Sequence, residues 1–223
     1  MSFTLSTGST ISVARQYGAA ITVSAAANSV SAGATATTTL TTSSAHSLVK
    51  DDWVEITSGW GRLNNRIARC TTGTTASTIV LENIDTFDTS KYPAGSGAGS
   101  VRKITSWTAL SQIKSISSSG GEQQFADATS LDDTSERKVP TKKSAVTMSL
   151  EVFDDPTLPW YADVQVASDS VKPYGLLIAA ANGSKTVANA YWSLGDVPNI
   201  AKDEVMTTKL DLTYVAKPTR YAS

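Results

Sequence analysis

Residues 145–153, AVTMSLEVF, alternate apolar and polar side chains along almost their whole length. Val146, Met148, Leu150 and Val152 fall on one side, and Thr147, Ser149 and Glu151 on the other. A period of two sets one face against a core and the other in water, as in an antiparallel strand of a two-faced sheet. A strand of this kind needs neighbours, because its edge groups seek partners and isolated strand pairs are marginal in water. Asp154-Asp155-Pro156 stops it, and Thr157-Leu158-Pro159 opens a helix predicted over 157–169, with Thr157 as N-cap and proline in the first turn. Leu158, Tyr161, Val164 and Ala167 form its apolar stripe, and Lys172-Pro173 ends it.

A β-meander is predicted downstream. Residues 175–181 are apolar, and Asn182-Gly183 is a hairpin turn in which both residues tolerate positive φ. The return strand, 185–194, carries Ala190, Trp192 and Leu194 on one face. Residues 205–215 close the meander, with Met206, Leu210, Leu212 and Tyr214 facing in and Lys209, Asp211 and Thr213 facing out. Upstream, Trp107, Leu110, Ile113 and Ile116 fall three apart, a spacing that fits a short amphipathic helix as well as a bulged strand. The interleaved Ser and Thr and the Gly120-Gly121 break favour the strand. Residues 120–143 are polar and of mixed charge, with Asp132, Asp133 and Glu136 followed by Arg137, Lys138, Lys142 and Lys143. A loop this long is either disordered or functional. The functional reading is an arm that orders against a neighbouring subunit, its acidic and basic halves pairing across the contact.

The first half reads as two further pieces. Residues 1–36 hold short strand-like segments around Ile11 and Val13 and around Ile21 and Val23, then a Ser/Gly/Ala linker. Residues 37–104 read as an inserted module of short strands near 53–57, 66–70, 78–81 and 101–104, separated by turns, which suits a small β-barrel. The last unit, 105–223, is a sandwich or rolled sheet packed on one helix, completed by strands from 1–36. The fold class expected is therefore mainly β, with one flanking helix and a small barrel-like module.

Composition narrows the function. Charged residues make up 17% of the 223 and the formal net charge is −1, so no basic field marks a nucleic-acid binder. One cysteine, Cys70, rules out an internal disulfide framework. No run approaches the ~18 apolar residues of a membrane helix, and the first residues lack a signal-peptide pattern, so synthesis in a cytoplasm is expected. The lone His46 has no second ligand nearby and no nucleophile elbow around it. Gly95, Gly97 and Gly99 lack the Lys-Ser/Thr of a phosphate loop. Glu82, Asp85 and Asp88 fit no calcium-loop spacing. No catalytic residues, cofactor or metal are expected. Trp53, Trp60 and Trp107 suit core or rim packing, or a glycan platform.

The blocks ITSWTALSQIKSISSSGGEQQF (104–125), LDDTSERKVPTKKSA (131–145), DDPTLPWY (154–161) and the terminal KPTRY, together with HSLVKDDWVEITSGWGRLNNRIARC (46–70) and ENIDTFDTSKYPAGSGAGSVRKITSW (82–107), resemble the tail tube proteins of long, non-contractile-tailed bacteriophages. That resemblance spans nearly the whole chain and implies a β-sandwich subunit flanked by a helix. Six copies would close into a ring and rings would stack into a tube. The lumen would hold the tape-measure protein during assembly and later pass genome DNA. A tail terminator and distal tip proteins would bound the tube, and no membrane is involved. The expected location is the virion tail, after synthesis in the host bacterial cytoplasm.

By the same resemblance Gly120, Gly121, Asp132, Asp133, Glu136, Arg137, Lys138, Lys142 and Lys143 form the inter-ring or inter-subunit arm. A lumen that held DNA would stall it, so a neutral or acidic wall is expected, with Glu151 and Asp211 as contributors. The alternatives are the tube of a contractile tail or secretion system, and a monomeric glycan-binding β module built on Trp53, Trp60 or Trp107.

Overall fold

The computed structural model describes residues 8–222 apart from 34, 133, 201 and 203. Its elements are β1 (Thr10–Ala27), β2 (Thr37–Thr42), β3 (Trp53–Ser58), β4 (Arg66–Arg69), β5 (Thr78–Glu82), β6 (Gly99–Ala109), β7 (Ile113–Ser119), β8 (Gln123–Asp127), β9 (Lys138–Lys143), β10 (Thr147–Phe153), α1 (Pro159–Asp169), β11 (Tyr174–Ala179), β12 (Lys185–Leu194), β13 (Thr207–Tyr214) and β14 (Thr219–Tyr221). Among the described residues twelve strands join one sheet with the path β4-β3-β6-β1-β11-β12-β13-β10-β7, while β8 and β9 pair only with each other.

One strand organises this sheet. The two short segments expected before residue 28 are a single strand of 18 residues. Its first residues pair with β11 (Ile11 with Ile178) and its last with β2 (Ala26 with Leu40). β6 runs beside it for most of its length, from Ser12–Ala109 to Val23–Gly99. Register shifts between Ala14 and Ala20 break the alternation, and that is why the sequence reads as two pieces.

The upper halves of β1 and β6 build the module. Pairings run β4-β3-β6-β1-β2-β5, and a bridge between Cys70 and Leu81 brings β5 back beside β4. The sheet thus closes into a small barrel with few free edges. Leu40, Val54, Ile56, Trp60, Leu63, Ile79, Leu81 and Val101 fill it. The glycine-rich loop lids the barrel, where Gly97 meets the Trp60 ring and Ala26 too closely to admit a Cβ.

The lower half is a rolled sheet closed by α1. Met148, Leu150 and Val152 of β10, Leu210 and Leu212 of β13, and Ala190 and Trp192 of β12 face Trp160, Val164 and Ala167 of the helix. Trp160 is a main anchor, 1% exposed, and its Nε1 donates to Ser111 Oγ at 3.2 Å. Removing such a ring costs about 3–5 kcal/mol. The helix begins at Pro159 rather than 157, and its N-cap falls one residue later than the sequence suggests. Leu158 occupies the N-cap position without a side-chain cap, while Thr157 Oγ1 instead donates to Asp155 Oδ1 at 2.6 Å. In the β11–β12 turn only Gly183 has positive φ, at 86°, and its N–H donates to Ala180 O at 2.9 Å.

Side chains tie barrel to rolled sheet. Glu55 of β3 is 6% exposed, ion-paired with Arg102 of β6, and accepts a hydrogen bond from Asn189 Nδ2 of β12 at 2.6 Å. The Tyr221 hydroxyl of β14 accepts from the Arg69 amide of β4 at 2.9 Å. Ala14, Ile67, Ile104, Val187 and Tyr221 form a third apolar cluster, drawn from strands of both halves.

Candidate functional site

Alternation on β10 and β13 builds a polar surface opposite the helix. Thr147, Ser149 and Glu151 face the same way as Asp211 and Lys209, because Ser149 pairs with Asp211 and Glu151 with Lys209. β7 extends that surface with Ser115, Ser117 and Ser119, paired to Glu151, Ser149 and Thr147. Hydroxyls knit it together. Ser119 Oγ and Thr147 Oγ1 lie 2.8 Å apart, and Thr207 Oγ1 donates to Glu151 Oε1 at 3.0 Å.

The two predicted wall carboxylates therefore share one face, and each has a lysine. Lys114 Nζ lies 3.1 Å from Glu151 Oε1, and Lys209 Nζ lies 3.1 Å from Asp211 Oδ2. The Lys114 bond, then the Thr207 bond, hold the Glu151 carboxyl below its ordinary range. For Asp211, partial burial pushes upward, but hydrogen bonds from Ser149 and Lys209 win and leave it lowered. The face is thus densely polar yet locally neutral. Among the described residues it ends at β7, which pairs only with β10 and leaves a free edge bearing Ile116, 55% exposed.

The second feature is the segment expected to be an arm. It is not an irregular loop but a hairpin of β8 and β9, with Gln123 opposite Lys143 and Asp127 opposite Lys138. Gly120 and Gly121 sit at its base with φ of 87° and 80°. A Cβ on Gly120 would lie 1.9 Å from the Ala145 carbonyl oxygen, so the strand-to-arm corner requires glycine. At the tip, Asp127 Oδ1 accepts from the Thr129 N–H at 2.9 Å, and Lys138 Nζ lies 3.3 Å from Glu136. Asp132 bonds Ser130, and Asp133 lies outside the described residues. Arg137 donates its amide to Thr129 Oγ1 at 3.0 Å, and Lys142 and Lys143 are exposed along β9. The apolar groups of this segment are masked in the sequence by the charges around them. Phe125, Leu131 and Val139 are 58%, 109% and 52% exposed.

Trp60 is buried and donates Nε1 to Pro93 O at 2.7 Å, while Trp53 packs edge-on to Tyr221 with centroids 5.2 Å apart. With Trp60 turned inward, the three tryptophans form no shared platform. His46 Nδ1 accepts the Leu48 N–H at 3.2 Å, and burial lowers its pKa. No three His, Cys, Asp or Glu side chains among the described residues are placed to hold a metal.

Comparison with known proteins adds the family. A search of curated proteins finds no match. Eight chains of solved structures match. One is a chain in the cryo-EM structure of the anti-feeding prophage (AFP) baseplate, 6-fold symmetrised, with 12% identity, a TM-score of 0.38, and coverage of 53% of this chain and 85% of that one. The profile of the family described as phage tail tube protein, TTP, matches residues 58–223, well over half of the chain. The chain belongs to the phage tail tube protein family.

Proposed function

We propose that this structural tail protein closes into hexameric rings that stack as the hollow tube of a long, non-contractile tail, with the β7-β10-β13 polar face as the lumen wall. The observation that carries this reading is the pairing of Glu151 with Lys114 and of Asp211 with Lys209 on a face otherwise paved with Ser and Thr. DNA binds wherever unpaired cations line up against its phosphates. A wall whose lysines are already neutralised, and whose hydroxyls bond one another, offers a passing polyanion no lasting hold.

The remaining features fit the same assembly. A free β7 edge is a template for a neighbour's strand, and head-to-tail contacts of that kind close into rings. The β8–β9 hairpin, with its exposed Phe125 and Val139, is an arm to an adjoining subunit. The barrel lies on the far part of β1 and β6 and decorates the tube. In this reading the lumen holds the tape-measure protein before DNA passes, and terminator and tip proteins cap the ends. The subunit is made in the host cytoplasm and resides in the virion tail.

Negative-stain electron microscopy of the purified full chain, with sizing chromatography beside it, tests the proposal. Rings or tubes with a central hole are expected. A strictly monomeric chain at high concentration, even with tail-tip proteins supplied as initiator, would overturn it.

A further inference from the structure

A cavity of about 590 Å³ lies between the barrel and the C-terminal strands, lined among others by Arg62, Arg66, Tyr92, Val215 and Lys217. Arg66 is the unusual member. It is 7% exposed, its Nη2 donates to Thr219 Oγ1 at 2.9 Å, and its Nε is buried without a partner. None of the three cations has a carboxylate within ion-pair distance among the described residues. A buried guanidinium is normally paired, because desolvation is otherwise uncompensated. Burial is the largest influence on its pKa and lowers it, against smaller opposing effects of Tyr92 and Tyr221. Asp85 also borders the cavity, but its carboxylate is taken up by the Gly33 and Phe87 amides at 2.9 and 3.0 Å. Three cations against one engaged carboxylate leave the cavity positive.

The chain carries a matching anion. Residues 128–136 at the arm tip, ATSLDDTSE, contain no Lys or Arg. Asp132 and Glu136 are exposed, and Leu131 beside them is 109% exposed. No described arm residue lines the cavity of its own subunit. Resting on the tube reading above, we propose that the cavity at Arg62, Arg66 and Lys217 is the receptor for the arm tip of a second copy of this chain. Asp132 and Glu136 supply the missing carboxylates, and Leu131 packs on the apolar lining at Tyr92 and Val215. Glu136 would exchange its exposed partner Lys138 for the cavity cations, a trade of little cost because surface pairs are weak.

The test uses a synthetic peptide of residues 127–138, titrated calorimetrically into dilute full-length protein at low salt, with tube formation scored separately by microscopy. Binding is expected, weakening as salt rises. Combined Arg62→Glu and Lys217→Glu should weaken it about tenfold or more, as should Asp132→Asn with Glu136→Gln in the peptide. Arg62 and Lys217 are exposed, so unchanged circular dichroism and melting will show that the variant folds. Absence of peptide binding, or equal binding by the reversed variant, overturns the inference. Binding of inorganic phosphate without the peptide overturns the occupant. If wild-type protein forms tubes while the peptide ignores the cavity, only this inference falls. If the peptide binds as described and no rings or tubes ever form, the tube reading falls and the receptor stands.

Discussion

Glu151 and Asp211 are the residues on which the wall reading turns, and both titrate below their ordinary values of 4.5 and 3.8. A depressed carboxyl favours the folded state above its unfolded pKa, and that contribution is lost as pH falls through the folded value. Glu151→Gln with Asp211→Asn should therefore lower the denaturation midpoint slightly near neutral pH, and the difference from wild type should close as pH falls through the carboxyl range, which makes the variant's acid limb shallower. Denaturant melts from neutral pH into the acid range check this. Cys70 behaves differently. Burial first, then the nearby Asp52 charge, push its thiol up to about 12. The native protein should resist alkylation at mildly alkaline pH and react promptly once unfolded, which a timed iodoacetamide assay reads. The location of the carboxylates was legible, since strand alternation alone puts odd positions of 147–151 and 207–213 outward. Their lysine partners were not, because Lys114 reaches Glu151 across a bulge in the β7–β10 register.

The β8–β9 hairpin is the element least visible in the sequence. Residues 120–143 look like loop because QQFAD and KVPTKK bury nothing, and burial is what writes alternation into a sequence. Pro140 further disguises β9, yet it sits opposite Phe125 beside a register shift, where a strand tolerates a missing donor. Among the described residues its strands pair only with each other. Replacing residues 122–143 with a short Gly-Ser link should then leave the melting temperature within a few degrees of wild type while reducing tube length and yield. Calorimetry and micrographs of the same preparation separate those effects, and a collapse in melting temperature would show that the arm supports the fold. The helix was legible from its apolar spacing, but its cap was not. Thr157 prefers the local bond to Asp155, and the core contact of Trp160 fixes the helix start without help from a capping hydroxyl.

On the scale of the whole molecule, β1 and β6 belong to both cores, and Glu55, Asn189 and Tyr221 bond across the boundary. Unfolding of the barrel would strip β1 from the rolled sheet. A single calorimetric transition is expected, with calorimetric and van't Hoff enthalpies in agreement, whereas two separated transitions would mean independent domains. The β class, the barrel-like module and the flanking helix could be read from short strands and turn residues. Long-range pairing could not, because nothing local tells Thr10–Ala27 that one end meets β11 and the other β2. The most direct test of the account is a cryo-EM map of the assembled tube. Ser117, Ser149, Glu151 and Asp211 are expected on the inner wall, with α1 outside it and β7 paired to a neighbour. A map with Glu151 and Asp211 on the exterior would contradict it.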